Sequence, residues 1–281
     1  MGYVWRAERI QDREELALKF IRQDTASERT AERFVREAEH AASVHHANVI
    51  EVIDWGLHEG QPYIGMELLK GQGLDERLQD LPAATVGDIV AWLIQSLDGL
   101  EAVHKKGIVH RDLKPANLFL CDGADRPVVK LLDFGLSRSL LPSEDGAPSL
   151  TQTHQFLGTP YYTSPEQIRS AKHIDARADL YSLGVILYEA LAGERPFDGP
   201  NATAVIASVV ADPPPPLSDA RPDLPEELSA IVDRAMAKDP ADRFATASEM
   251  RRALEKLPRS LAKVRATPRL SGPSQRSGRI R

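Results

Sequence analysis

The sequence has a single cysteine in 281 residues, Cys121, so no disulfide can form within the chain and the composition suits a reducing compartment. Cys121 sits in an apolar run, the setting of a buried, inert thiol rather than of a nucleophile. No uninterrupted apolar run approaches the roughly 20 residues that a membrane-spanning helix needs. The first residues, MGYVWRAER, lack the apolar core of a secretory signal, and Arg6 stands where an N-myristoylation signal needs Ser or Thr. A cytoplasmic protein is expected. Residues 258–281 have no acidic residue and seven basic ones, which leaves a formal −13 on the rest of the chain against −6 overall. An acidic body argues against nucleic acid as the main partner. The basic tail, with Pro, Ser and Gly and little periodicity, is expected to be disordered. Adjacent His45 and His46 cannot both face one metal from a regular element, and no Cys or further His stands at ligand spacing. There is no internal repeat.

What is present is an ordinary globular composition, 42% hydrophobic and 27% charged, in a length that suits one large domain or two lobes sharing a cleft. Strands are expected over 3–10, 16–21, 48–54, 62–66 and 128–132, with a turn near Gly60. Helices are expected over 28–44, 85–106, 179–191, 225–237 and 246–257. Phe34, Ala38, Ala41 and Ala42 form one stripe of the first helix, and Ile89, Leu93, Leu97 and Leu100 one stripe of the second. Thr85 with Asp88, and Thr246 with Glu249, have the spacing of capping boxes. Residues 179–191, DLYSLGVILYEAL, are apolar nearly all round, as in a helix at the centre of a large domain. The proline-rich stretch 212–225 reads as a stiff connection between helices. Residues 136–157 are polar and without clear periodicity, and so long a stretch is usually functional or disordered.

The run IVHRDLKPANLFL, Ile108 to Leu120, brackets a polar loop between apolar segments. Within it, Asp112 can accept a proton from a hydroxyl nucleophile. Lys114 can neutralise a transferring phosphoryl group. The Asn117 oxygen is a hard ligand suited to Mg²⁺. Upstream, Lys19 lies inside the apolar β run LALKFI, where an ammonium needs an anionic partner or a path to solvent. Downstream stands Asp133-Phe134-Gly135.

HRDLKPAN followed by DFG resembles the catalytic signature of eukaryotic-type Ser/Thr protein kinases, a family also common in bacteria. The resemblance covers about residues 2–257. It implies an α+β fold of two lobes: a small β-rich lobe to Met66, a hinge over 67–71, and a larger, mainly helical lobe over 72–257. It implies ATP and Mg²⁺, and protein substrates that accept phosphate on Ser or Thr. By resemblance, Asp112 is the proton acceptor and Lys114 stabilises charge on the moving phosphoryl. Asn117 and Asp133 hold the metal, and Lys19 positions the phosphates, held by Glu37 of the first helix. The ATP contacts it implies are Gly2, Val4, Ala17, Lys19, Met66 as gatekeeper, Glu67 and Leu69 through backbone groups, Phe119 and Asp133. Ser164-Pro165-Glu166 stands where the family has A-P-E, and Arg243 where it has the arginine that pairs with that glutamate. Asp179 props the catalytic-loop backbone. Lys114 together with Gly158-Thr159 is similar to Ser/Thr rather than Tyr kinases. Arg111 before Asp112 implies control by a phosphorylated activation loop, with Thr151 and Thr153 of LTQTH as its sites and self-association as a route to their phosphorylation.

One departure stands out. Only Gly2-Tyr3-Val4 remains of the family's G-x-G-x-x-G-x-V loop, without the strand that precedes it. Weaker Mg-ATP binding than in a chain with the full loop is expected, along with an exposed edge in the small lobe. The alternatives left open are a pseudokinase-like scaffold that does not catalyse, and a metabolic phosphotransferase on the same fold. The latter is disfavoured by the activation segment and S-P-E.

Overall fold

The computed structural model describes residues 3–20, 28–79, 84–123, 126–134, 160–169 and 174–266. Strands β1 (Tyr3–Glu8), β2 (Glu15–Phe20), β3 (Val52–His58) and β4 (Gln61–Glu67) make an antiparallel sheet in the order β1-β2-β4-β3. The β3–β4 turn passes through Glu59 and Gly60 at φ 51° and 77°. Helix α1 (Glu28–Ala42) packs on β3 and β4. Phe34, Ala38 and Ala41 recur at helical spacing, so all three reach the sheet and are buried. Among the described residues β1 pairs with β2 alone, which makes it an edge, and Val4 and Trp5 are exposed on it.

A second sheet, β5 (Gly71–Gly73), β6 (Leu118–Cys121) and β7 (Val128–Leu131), floors the cleft between this small lobe and a helical body. The expected strand over 48–54 is corrected: β3 begins at Val52. Asn48–Ile50 instead run beside β7, with Leu131 N–H donating to Asn48 O and Ile50 N–H donating to Leu131 O, each at 3.0 Å. The Asn48 side chain also donates to Val129 O at 2.8 Å. The apolar run thus serves as a tether between lobes, because its backbone groups find partners in β7 rather than in the first sheet.

The body is built on α3 (Val86–Lys105), preceded by the short α2 (Leu74–Arg77), and on α5 (Arg177–Ala192), preceded by α4 (Pro165–Arg169). Ile89, Leu93, Leu97 and Leu100 of α3 are fully buried, and every residue from Ala178 to Ala192 of α5 is buried. A helix surrounded on all sides has no polar face, which is why the sequence there shows no amphipathic period. It stops at Gly193, which takes the left-handed conformation at φ 79° and donates its N–H to Glu189 O. Around it lie α6 (Ala202–Ala211), α7 (Leu217–Ala220), α8 (Glu226–Ala235) and α9 (Ala247–Glu255). The Thr85–Asp88 capping box is formed in both directions. The one expected at Thr246 is formed in one direction only. Thr246 Oγ1 accepts from the Glu249 N–H, but the Glu249 carboxylate accepts from Ala245 N–H, one residue too early.

Two further expectations are corrected. Cys121 is only half-buried, on β6; burial pushes its thiol up, so it stays protonated. The tail does not begin at 258. Residues 259–263 form a 3-10 turn against α3 that buries Leu261. Val86 N–H donates to Val264 O at 2.8 Å and Ala266 N–H to Ala84 O at 3.1 Å. Arg221 donates to Arg265 O at 3.3 Å. The basic residues of this stretch point outward while Leu261 and Ala266 point in, a pattern too short to register as periodicity. A Cβ on Gly87 would lie 2.8 Å from the Ala262 backbone, so the glycine admits this close approach. A chain ending at Leu257 is expected to be less stable in urea than one ending at Ala266. Burial of one leucine is worth roughly 1.5–3 kcal/mol, partly offset by ordering of the segment. Equal unfolding midpoints would show that the segment adds nothing.

Candidate active site

The loop from Ile108 to Asn117 joins α3 to β6, pinned by buried Ile108 and Leu113. Asp179, in the first turn of α5, organises its backbone. Its Oδ1 accepts from Arg111 N–H at 2.9 Å and its Oδ2 from His110 N–H at 2.8 Å, with His104 Nε2 2.7 Å from the same Oδ2. A carboxylate this deeply buried is tolerable because donors surround it. Arg111 takes φ 67°, a region disfavoured for a residue with a Cβ. Its N–H is held by Asp179, and its carbonyl accepts from Gln167 Nε2 at 2.8 Å.

Asp112, next in the chain, projects a half-exposed carboxylate into the cleft. Lys114 Nζ is 2.7 Å from Asp112 Oδ2. Asn117, buried, donates its amide to Asp112 O at 2.7 Å, which leaves its side-chain oxygen as an acceptor. The Asn117 carbonyl accepts from Leu132 N–H, and His110 Nε2 lies 2.9 Å from Leu132 O. These contacts bind the loop to the exit of β7, where Asp133 takes φ 57°. Lys19 reaches across from β2, its Nζ 2.5 Å from Asp133 Oδ1. The partner shown for Lys19 is therefore Asp133. Glu37 lies on α1 and helps line a cavity of about 280 Å³ with His40, Arg111 and Phe134.

At the back of the cleft, buried Met66 lies opposite Ala17 across the β2–β4 pair. Val4 lies opposite Lys19 and so shares its face of the sheet. Phe119 on β6 is half-buried on the floor. The Glu67 side chain is turned away to Lys130 Nζ at 2.6 Å and Glu51 N–H at 2.8 Å, and Leu69 packs on the core. The hinge is thus stapled to β7, a contact between residues 63 positions apart that no local pattern announces.

Below the loop, Arg243 is fully buried with all its donors used. Nη1 and Nη2 meet Glu166 Oε1 and Oε2 at 2.7 and 2.8 Å; Nε donates to Ala237 O, Nη1 to Arg177 O and Nη2 to Lys238 O. Gly2, Thr151, Thr153 and Thr159 lie outside the described residues. Sequence reasoning missed His104, Lys130 and Gln167. Only Gln167 had a local signal, since Ser164-Pro165-Glu166-Gln167 has the S-x-x-Q spacing of a capping box. Among the described residues no group of three or more His, Cys, Asp or Glu could hold a metal ion. The side chains of Asn117 and Asp133 each offer oxygen, the donor type that hard cations prefer.

The protein kinase domain family matches residues 1–254, and the chain belongs to it. Its similarity is to bacterial serine/threonine members. It is 37% identical over 279 residues to the serine/threonine-protein kinase pkn3 of Myxococcus xanthus, covering 98% of this chain and 51% of that one. It is 38% identical over 246 residues to the probable serine/threonine-protein kinase PknB of Bifidobacterium longum, covering 84% and 35%. Against the serine/threonine-protein kinase PknB of Mycobacterium tuberculosis the figures are 37% over 256 residues, covering 89% and 40%. The chain therefore spans about half or less of the length of these curated relatives.

Proposed function

We propose that this chain is a protein kinase that transfers the γ-phosphoryl group of ATP to Ser or Thr hydroxyls of proteins. The observation that supports this most is the convergence, from three separate segments, of Lys19, Asp112 with Asn117, and Asp133 on one cleft. Asp112 accepts the proton of the substrate hydroxyl as its oxygen bonds to the γ-phosphorus and the bond to the ADP oxygen breaks. Lys114, beside Asp112, stabilises charge on the transferring group. Asn117 and Asp133 would hold Mg²⁺, which neutralises charge on the phosphates when bound. Lys19, held by Glu37, positions the phosphates. Val4, Ala17, Met66 and Phe119 enclose the adenine, and backbone groups of Glu67 and Leu69 bond its edge. The acceptance of ATP and the lone cysteine together suit the cytoplasm.

The test is incubation of the purified chain with Mg-ATP and a generic protein substrate, followed by phosphoamino-acid analysis. Phosphoserine and phosphothreonine are expected, with no phosphate on small-molecule acceptors. Phosphate is also expected on Thr151 or Thr153, and an Asp112→Asn chain should receive it from an active one if copies associate. A double Thr151→Ala, Thr153→Ala variant with full activity would remove the regulatory part of the proposal.

A further inference from the structure

We propose that Gln167 is a positioning residue for Asp112. It clamps the Arg111–Asp112 peptide and so makes the direction of the Asp112 carboxylate depend on order in the segment Pro160–Arg169. The inference rests on the phosphoryl-transfer reading of Asp112.

The Arg111 residue sits at φ 67°, a conformation its own sterics oppose. Something must hold it on both sides. Its N–H is held by Asp179, buried in the first turn of α5. Its carbonyl belongs to the peptide that carries the Asp112 N–H, and that carbonyl is held by Gln167 Nε2 at 2.8 Å. Rotation of this one peptide plane would swing Asp112 relative to the cleft.

The amide orientation of Gln167 follows from its partners. Ser164 N–H can only donate, so at 3.1 Å it must meet Oε1. The Arg111 carbonyl can only accept, so it must meet Nε2. Both demands agree. Ser164 Oγ adds a second donor to Oε1 at 3.0 Å, and Ser164 is fully buried. The side chain is therefore fixed at its oxygen by the segment before α4 and offers its nitrogen to the loop. Glu166, the residue before it, is held by the buried Arg243. Disorder anywhere in this segment releases the Arg111 carbonyl.

Gln167→Glu separates this role from a merely structural one. Glutamate serves a capping box as well as glutamine, so the Ser164 contacts and the fold are kept. A carboxylate cannot donate, however, and places negative charge against the Arg111 carbonyl. Expected is a fall in kcat on the order of 10- to 100-fold, the scale on which small misplacement of a catalytic group acts. KM for ATP and the melting temperature should stay near the parent's. Hydrogen exchange over residues 108–114 should be faster than in the parent. Ser164→Ala should give a smaller loss that does not add to that of Gln167→Glu, because both act on one contact. If the charge disturbs folding, Gln167→Met removes the donor at similar length. Either kcat or loop exchange at the parent's value overturns the assignment. Asp112→Asn is measured in the same assay. If it keeps full turnover, the reading of the site falls; if it is inactive while Gln167→Glu is normal, only the role of Gln167 falls.

Discussion

Asp112→Asn is expected to lower phosphoryl transfer at least ~100-fold, within the range by which a positioned general base acts. The amide keeps the shape of the carboxylate and leaves no buried charge unpaired, since Asp112 is half-exposed, its carbonyl is held by Asn117 and the preceding Arg111 N–H by Asp179. Folding should therefore be unaffected, and the loss should appear in kcat with nucleotide affinity retained. Asp133→Asn should give a loss of similar size for a different reason. It removes the negative charge and one of the two Asp133 oxygens that the proposed Mg²⁺ site would offer, and with them the anion that Lys19 meets at 2.5 Å. Steady-state kinetics with Mg²⁺ titration separates the two, because excess metal should rescue part of the Asp133 defect and none of the Asp112 defect. Near-normal turnover by Asp112→Asn would falsify the assignment of the base.

Arg243→Met should be the most destabilising single change discussed. The guanidinium is fully buried, makes a two-pronged ion pair with Glu166, and donates to three backbone carbonyls. Removing it strands a carboxylate and three acceptors in a site that water reaches poorly. Breaking a buried pair in this way costs about 3–5 kcal/mol. For a domain of this size that corresponds to a fall in melting temperature of roughly 6–20 °C. Arg243→Lys should recover little, because an ammonium has three donors in another geometry. Glu166→Gln should be milder, since the amide oxygen still accepts from one prong. Thermal melts of the three variants give the order, and a melt of Arg243→Met within 2–3 °C of the parent would show that the cluster contributes less than about 1 kcal/mol.

Much of this was written locally. The loop Ile108–Leu120 holds a carboxylate, an ammonium and an amide within a few residues, so the functional groups it offers can be read without tertiary information. The i, i+4 spacing of Ile89, Leu93 and Leu97 sets the buried face of α3 for the same reason, and the stretch 179–191, apolar nearly all round, reads as a helix buried on every side. Helix α6 was not legible, because ATAVIASVVA is rich in β-branched residues and has no polar face. Its one local mark is Asn201, whose side chain accepts from Ala204 N–H.

The sequence by itself therefore determined the chemistry of the loop, the helical axis of the body and the identity of the residues that meet at the cleft. Only the tertiary structure decided how they meet. Lys19 and Asp133 are 114 positions apart, Asp179 and Arg111 are 68 apart, and Arg243 and Glu166 are 77 apart. Periodicity and motif spacing reflect the geometry of one helix or strand, which repeats over a few residues. Which donor satisfies which buried acceptor is set by packing between elements, and that choice is made where burial leaves a polar group no water to turn to.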